Sequence, residues 1–307
     1  MRIIFMGTPE FAVPGLELLL ANGYTVSAVV TAPDKPRGRG QQVSHTAVKE
    51  CALRHAIPVL QPESLRDPAF IASLSAHQAD LFIVVAFRIL PKEVYTLPAL
   101  GSFNLHASLL PKYRGAAPIN WALINGETES GVTTFFLQEK VDTGNIILQR
   151  SIPLPPEMDA GQLHDALSEL GARTVLETVR LIESGNARPL PQSDALATPA
   201  PKIFKETCRI RWDRPARELH NFIRGLSPYP AAWTNHGERM IKIYRTAVSS
   251  QLSAVSPGRV MAENGRLFVS TADGVLEVLQ LQQEGKKQMS AEEFLRGYRF
   301  GAEDVLI

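Results

Sequence analysis

Apolar residues in the first third of the chain fall in short unbroken runs rather than in alternation. Arg2–Met6, Thr25–Thr31, Pro58–Leu60, Leu81–Ala86 and Phe103–His106 each read as a strand buried on both faces. Between them a helix from Pro9 to about Asn22–Gly23, a second over Thr46–His55 and a third opened by Asp67–Pro68 are predicted, with Thr8 a candidate N-cap and Pro9 in the first helical position. Strand, helix and strand within about thirty residues is the βαβ rhythm of a parallel sheet. The pattern predicts a doubly wound α/β domain that binds ligands at the carboxyl ends of its strands.

Beyond Gly131 the pattern changes. "VTTFFLQEKVDTGNIILQ" holds two β-type runs around a polar turn and predicts a hairpin. Asp159 can cap a long helix in which Leu163, Leu167, Leu170, Thr174, Thr178 and Leu181 keep helical spacing as far as Gly185. "GNARPLPQSDALATPAP" has four prolines and no apolar period, the composition of a linker. A short helix at Ala216–Arg224 and several short strands follow, with turn signals at Asn235–Gly237, Asn264–Gly265 and Asp273–Gly274, which predicts a small β-barrel or sandwich. The expected divisions are 1–185, a linker over 186–204, and 205–307.

Composition narrows the class without naming it. With 45% hydrophobic and 21% charged residues the chain is neither disordered nor fibrous. From Pro201 onward there are 16 lysines and arginines against 12 acidic residues, and before it 16 against 19, a mild asymmetry of the kind that marks a polyanion-facing tail domain or merely a solvated face. Cys51 and Cys208 have no metal-like spacing and read as reduced structural thiols. No apolar stretch nears the ~18 residues that span a bilayer, and no leader pattern opens the sequence, so the expected location is the cytoplasm, away from membranes.

Candidate chemistry gathers at the end of the last strand of the first set. Side chains two apart on a strand share a face, so Asn104 and His106 project together from its carboxyl end. Alone, such residues could equally be a hydrogen-bonded cap on the strand. They are followed by the loop "ASLLPKYRGAAPINWALINGE" and, 36 residues after His106, by Asp142 at the hairpin turn with Thr143 and Gly144. Ser108 lacks a G-x-S-x-G elbow and neither cysteine is near, which argues against a covalent nucleophile. His106 has no second histidine at zinc spacing, so no metal is expected.

Asn104-x-His106, "SLLPKYRGAAPINWA" and "VDTG" together resemble the motif set of the folate-dependent formyltransferases, and "GTPEFA", "KPRGRG" and "NFIRGLSPYPAAW" extend the resemblance from end to end. The resemblance implies a Rossmann-like formyltransferase domain followed by an OB-like barrel, with 10-formyltetrahydrofolate as formyl donor and the methionyl group of initiator tRNA as acceptor. It also implies a catalytic set of Asn104, His106 and Asp142. Asn104 and a charged His106 would donate to the oxygen that gains negative charge as the amine attacks, and Asp142 would keep the imidazole charged or take the amine proton through water.

By the same resemblance Ser108, Leu109, Leu110 and Pro111 line a folate pocket near Arg88, with backbone groups near Leu90 and Val141 reading the pterin edge, and the basic loop bearing Lys35, Arg37 and Arg39 meets tRNA, chiefly through Arg39. "FRIL" (Phe87–Leu90) and Arg211 in "RIRW" depart from the commoner pattern, the first toward purine-pathway members of the family. A monomer is expected. The competing readings are a relative acting on a small amine (the purine-pathway or a sugar-amine formyltransferase), a formylfolate hydrolase, and a tRNA-binding module on an inactive scaffold.

Overall fold

The unbroken apolar runs become the centre of a seven-stranded sheet because parallel strands covered on both faces can carry side chains that tolerate no water. The computed structural model describes residues 1–37, 42–249, 256–301 and 303–307. The first strands and helices are β1 (Arg2–Gly7), α1 (Val13–Ala21), β2 (Thr25–Val30), β3 (Lys35–Arg37), β4 (Gln42–Ser44), α2 (Ala47–Arg54), β5 (Val59–Leu60), α3 (Pro68–Ala76), β6 (Leu81–Val85), α4 (Lys92–Tyr95), β7 (Ser102–His106) and β8 (Arg114–Gly115). They are followed by α5 (Pro118–Ile124), β9 (Glu129–Phe136), β10 (Ile146–Pro153), α6 (Ala160–Glu183) and β11 (Pro199–Ala200).

The sheet order is β10-β9-β7-β6-β1-β2-β5. β1, β2, β5, β6 and β7 run parallel, and β9 joins antiparallel to β7, so the hairpin extends the main sheet. Phe5, Phe82, Phe103 and Phe135 are fully buried, each contributing about 1.5–3 kcal/mol by leaving water.

Helix starts follow the sequence with one exception. Asp67 Oδ1 accepts the Ala69 N–H at 3.0 Å, and Asp159 and Gln162 exchange reciprocal bonds of 2.8 and 3.1 Å at the start of α6. Thr8 caps nothing. A 3₁₀ turn over Glu10–Ala12 follows Pro9, whose carbonyl takes the Ala12 N–H at 3.1 Å, and the α-helix begins only at Val13.

Contacts divide the chain into two compact units, one of Met1–Gly115, Ser130–Ile152 and His164–Ala200, the other of Ala116–Glu129, Pro153–Leu163 and Pro201–Ile307. The proline-rich stretch thus packs within the first unit up to Ala200. Its Leu190 exchanges backbone bonds of 2.8 Å with Ile146, and β11 pairs with β8.

In the second unit come α7 (Ala216–Leu226), β12 (Ala232–His236), β13 (Arg239–Ser249), β14 (Val260–Glu263), β15 (Arg266–Ser270), β16 (Val275–Gln283), β17 (Met289–Ser290) and α8 (Ala291–Gly297). The antiparallel order is β12-β13-β16-β15-β14, with β17 on β16. Asn264 and Gly265 both have positive φ (51° and 76°), which gives the tight β14–β15 turn its twist.

The last residues turn this sheet into a barrel. Val305 bridges Arg259 antiparallel and Leu306 N–H reaches Gly258 O at 2.9 Å, while Ile307 exchanges bonds of 2.8 and 2.9 Å with Asn235 of β12. The tail is fastened by Asp304 to His236 Nε2 at 2.9 Å, and Thr234 Oγ1 donates to Ile307 O at 3.0 Å. Inside lie Trp212, Leu219, Ile223, Ile243, Val269, Leu276 and Phe294. No helix among the described residues is long and apolar enough to cross a membrane.

His220 of α7 is buried in this unit with Nε2 at 3.2 Å from Pro156 O and Nδ1 at 3.1 Å from Thr246 Oγ1. A neutral ring satisfies both, Nε2–H donating to the carbonyl and the hydroxyl donating to Nδ1. Burial pushes this imidazole below its ordinary value. The unfolded chain takes up a proton near pH ~6.5 while the folded one does not, so the stability present above that pH is lost as pH falls through the folded value, by at most about 1.4 kcal/mol per pH unit. Urea unfolding of the full chain between pH 7 and 5 should show a slope that His220→Gln removes; equal slopes in both proteins would refute the assignment.

Candidate active site

β7 holds Asn104 opposite Val84 of β6 and Phe135 of β9, and His106 opposite Thr133. Its other face is packed: a Cβ on Gly171 of α6 would lie 2.6 Å from Leu105 Cδ2, so helix and strand meet without a side chain between them. Asn104 and His106 therefore project from the face opposite that helix. Among the described residues the half-buried Asn104 carboxamide has no hydrogen-bond partner, whereas His106, 6% exposed, is fixed.

His106 Nε2 lies 2.8 Å from the carbonyl oxygen of Tyr113. A carbonyl only accepts, so Nε2 carries a proton and Nδ1 is the nitrogen left for chemistry. Nδ1 faces Asp142 Oδ2 at 3.9 Å, with both side chains largely buried. That separation is longer than a hydrogen bond, so neither group is consumed by the other.

One loop serves both residues. After β7 the chain turns through Tyr113, which has φ 62°, so that Tyr113 O meets the imidazole and the Gly115 N–H donates to Asp142 Oδ2 at 2.9 Å. Gly115 itself has φ 127°, and a Cβ there would lie 2.6 Å from Ala200 O. Asp142 sits at φ 55° on the β9–β10 connection, two residues before Gly144, where any Cβ would run into Phe136 O.

The residues expected to line a folate pocket divide by side-chain direction. Ser108 is fully buried and gives its hydroxyl to Lys112 O at 2.6 Å; Leu110 is buried, its N–H on Thr133 Oγ1 at 3.1 Å and its carbonyl on Gln149 Nε2 at 2.7 Å. These two brace the loop. Leu109 and Pro111 stay half-buried and Val141 is 49% exposed.

Leu90 packs into the core with Met6, Val84 and Phe70. Arg88 turns away to donate to Glu63 O at 3.0 Å and Pro62 O at 2.7 Å. Beside it Ile89, absent from the expected set, is 74% exposed. Nothing in the sequence set it apart from its apolar neighbour Leu90, because which of the two faces water is decided by the fold.

Lys35 is exposed and begins β3, which pairs antiparallel with β4. The Arg37 side chain and all of Arg39 lie outside the described residues. Just before β3 the Asp34 carboxylate takes hydrogen bonds from Lys49 and from Gln61 Nε2, at 2.9 Å for the latter, and these bonds hold its pKa down at about 2. Arg211, the departure in "RIRW", pairs with Asp213 at 2.9 Å on the surface.

The one group of three ligating side chains that converges among the described residues is Glu17, Cys51 and His55, which contains none of the candidate catalytic set. Arg54 already pairs with its Glu17 at 2.9 Å, and burial pushes the Cys51 thiol up.

A family model described as Formyl transferase matches residues 1–179, and one described as Formyl transferase, C-terminal domain, matches residues 202–299. The chain is 52% identical over 305 residues to the methionyl-tRNA formyltransferase of Chlorobium luteolum, covering 97% of each chain. It is 49% identical over 308 residues to that of Bacteroides fragilis, covering 97% of this chain and 95% of the relative. In fold it is similar to an N-formyltransferase from Helicobacter canadensis solved with folinic acid and dTDP-3-aminofucose, with a TM-score of 0.67, 22% identity, and coverage of 92% of this chain and 100% of that one. A family match over more than half its length, joined to near-full-length identity of about half with two curated members, means that this chain belongs to the formyl transferase family.

Proposed function

We propose that this enzyme moves the formyl group of 10-formyltetrahydrofolate onto the α-amino group of methionyl initiator tRNA, with Asn104, His106 and Asp142 as its catalytic residues. The observation that carries this reading is the arrival of the Asp142 carboxylate 3.9 Å from His106 Nδ1 in a chain about half identical, end to end, to methionyl-tRNA formyltransferases.

The amine nitrogen attacks the formyl carbon, the carbonyl oxygen takes the negative charge, and the bond from carbon to folate N10 then breaks. N10 gains a proton and the amine loses one. Asn104 and the Nδ1–H of a charged His106 are the donors to the oxygen, and Asp142 receives the amine proton directly or through water. Ile89, Val141, Leu109 and Pro111 supply the apolar surface on which a pterin ring would lie. Reduced folate and charged tRNA meet in the cytoplasm, where a single copy of this chain would suffice.

The basic loop favours tRNA over a small amine as acceptor. A basic segment with Lys35, Arg37 and Arg39 in its sequence suits a phosphate backbone, while a sugar or purine-pathway amine has no use for it. Arg39→Ala is expected to raise KM for methionyl-tRNA about tenfold and to lower the slope of log(kcat/KM) against log salt by about 1, with kcat little changed. Formyl transfer assayed at several salt concentrations reads both quantities. An unaltered KM and salt slope would move the tRNA contact elsewhere.

A further inference from the structure

The stretch whose composition reads as a linker carries a side chain aimed at the catalytic loop. Gln192 Nε2 lies 2.9 Å from Asp142 O and 2.8 Å from Gly144 O, while its Oε1 accepts from Arg114 Nε at 3.1 Å and from Arg114 Nη2 at 2.8 Å. Every donor and acceptor of this carboxamide is used. The guanidinium, held on its third nitrogen by Asp194 at 2.8 Å, fixes which way the amide points, and so directs both N–H groups at the two carbonyls flanking Thr143.

Arg114 also lies one residue from Tyr113 and one from Gly115, whose carbonyl and N–H hold His106 and the Asp142 carboxylate. The loop bearing the histidine's anchor and the loop bearing the aspartate are therefore joined twice, directly by the Gly115 N–H on the Asp142 carboxylate and through the Gln192 amide. We infer that Gln192 is a positioning residue that, bracketed by Arg114, sets the Asp142 carboxylate at its distance from His106; the inference rests on the formyl-transfer reading above.

The amide's chemistry makes the idea specific. A carboxylate of the same shape would keep the Arg114 pair on one oxygen but put its other oxygen, which can only accept, against two carbonyl oxygens, so Gln192→Glu should expel the Asp142 loop while leaving the fold of the unit in place. Backbone ties that do not involve residue 192, the Leu190–Ile146 pair and the β8–β11 pair, hold the stretch down in the variant.

The test compares wild type, Gln192→Glu and Arg114→Lys in two measurements. In formyl transfer to methionyl-tRNA, Gln192→Glu should lower kcat at least tenfold with KM for tRNA within about twofold, and Arg114→Lys should do the same more weakly, because lysine keeps the charge but loses the fork. In amide hydrogen exchange of the full-length proteins, the Gly115 N–H, protected by the Asp142 side chain, should exchange about tenfold faster in Gln192→Glu while the amides of β1 and β6 keep their protection.

A kcat within twofold of wild type overturns the inference. So does a fall in kcat with Gly115 protection intact, or a general loss of protection in both variants, since either would make the residue's role other than placing Asp142. Wild-type protein without formyl-transfer activity would instead overturn the functional reading, and the exchange result would still report whether Gln192 seats Asp142.

Discussion

His106→Ala is expected to lower kcat for formyl transfer by about 10²–10³-fold, the loss typical of one preorganised donor at an oxyanion, with KM for tRNA within about twofold. The magnitude follows from the site's geometry. Nε2 is committed to Tyr113 O, so the single nitrogen that can address the reacting atoms is Nδ1, and it points into the space shared with Asp142.

Asn104, on the same strand face and without a partner among the described residues, addresses the same oxygen from two positions earlier. Two donors acting on one developing charge behave as a unit, so Asn104→Ala combined with His106→Ala should cost much less than the product of the single losses. Single-turnover rates at saturating folate and tRNA separate the chemical step from binding. A near-normal rate in His106→Ala would remove the imidazole from the mechanism.

The parts of this arrangement that the sequence disclosed were those with local causes. The period of two placed Asn104 and His106 on one face, and unbroken apolar runs disclosed the five parallel strands, because burial on both sides leaves no polar positions to alternate with. Asp142 was legible as a turn residue, and its meeting with the histidine only through the family resemblance.

Side-chain direction around the pocket was not legible. Leu90 and Ile89 are neighbours in sequence, yet one is core and the other stands in water. Nor was the work of the proline-rich stretch. It makes its bonds through short backbone pairings and single side chains, among them the Gln192 amide to partners 48 and 50 residues away, and such pairings impose no period that composition could reveal. The barrel's closing tail escaped for the same reason: Asp304–Ile307 is too short to read as a strand and gains its role from the strands on either side.

Gly144→Ala is expected to lower kcat by about 10²-fold without unfolding the first unit, because displacing a catalytic group by about 1 Å carries a cost of that order. No φ strain is involved. A Cβ at this position would collide with the carbonyl oxygen of Phe136 and come within 2.9 Å of its carbon and 3.1 Å of Phe135 Cδ2.

The obstacle is backbone and side chain of a strand whose residues from Ser130 to Phe135 are buried, so β9 cannot give way and the loop from Asp142 to Asn145 must move instead. That movement strains the Phe136 N–H to Asn145 O bond of 3.0 Å and the Gln192 bond to Gly144 O, and it carries Asp142, two residues earlier, away from His106 and the Gly115 N–H. Gly297→Ala, where no described residue lies within 4 Å of the new methyl group, serves as the matched control and should leave kcat unchanged. Both variants are compared by kcat and by urea midpoint. If Gly144→Ala kept kcat within about threefold of wild type, Asp142 would not need its place beside the imidazole, and the carboxylate would have to leave the catalytic set.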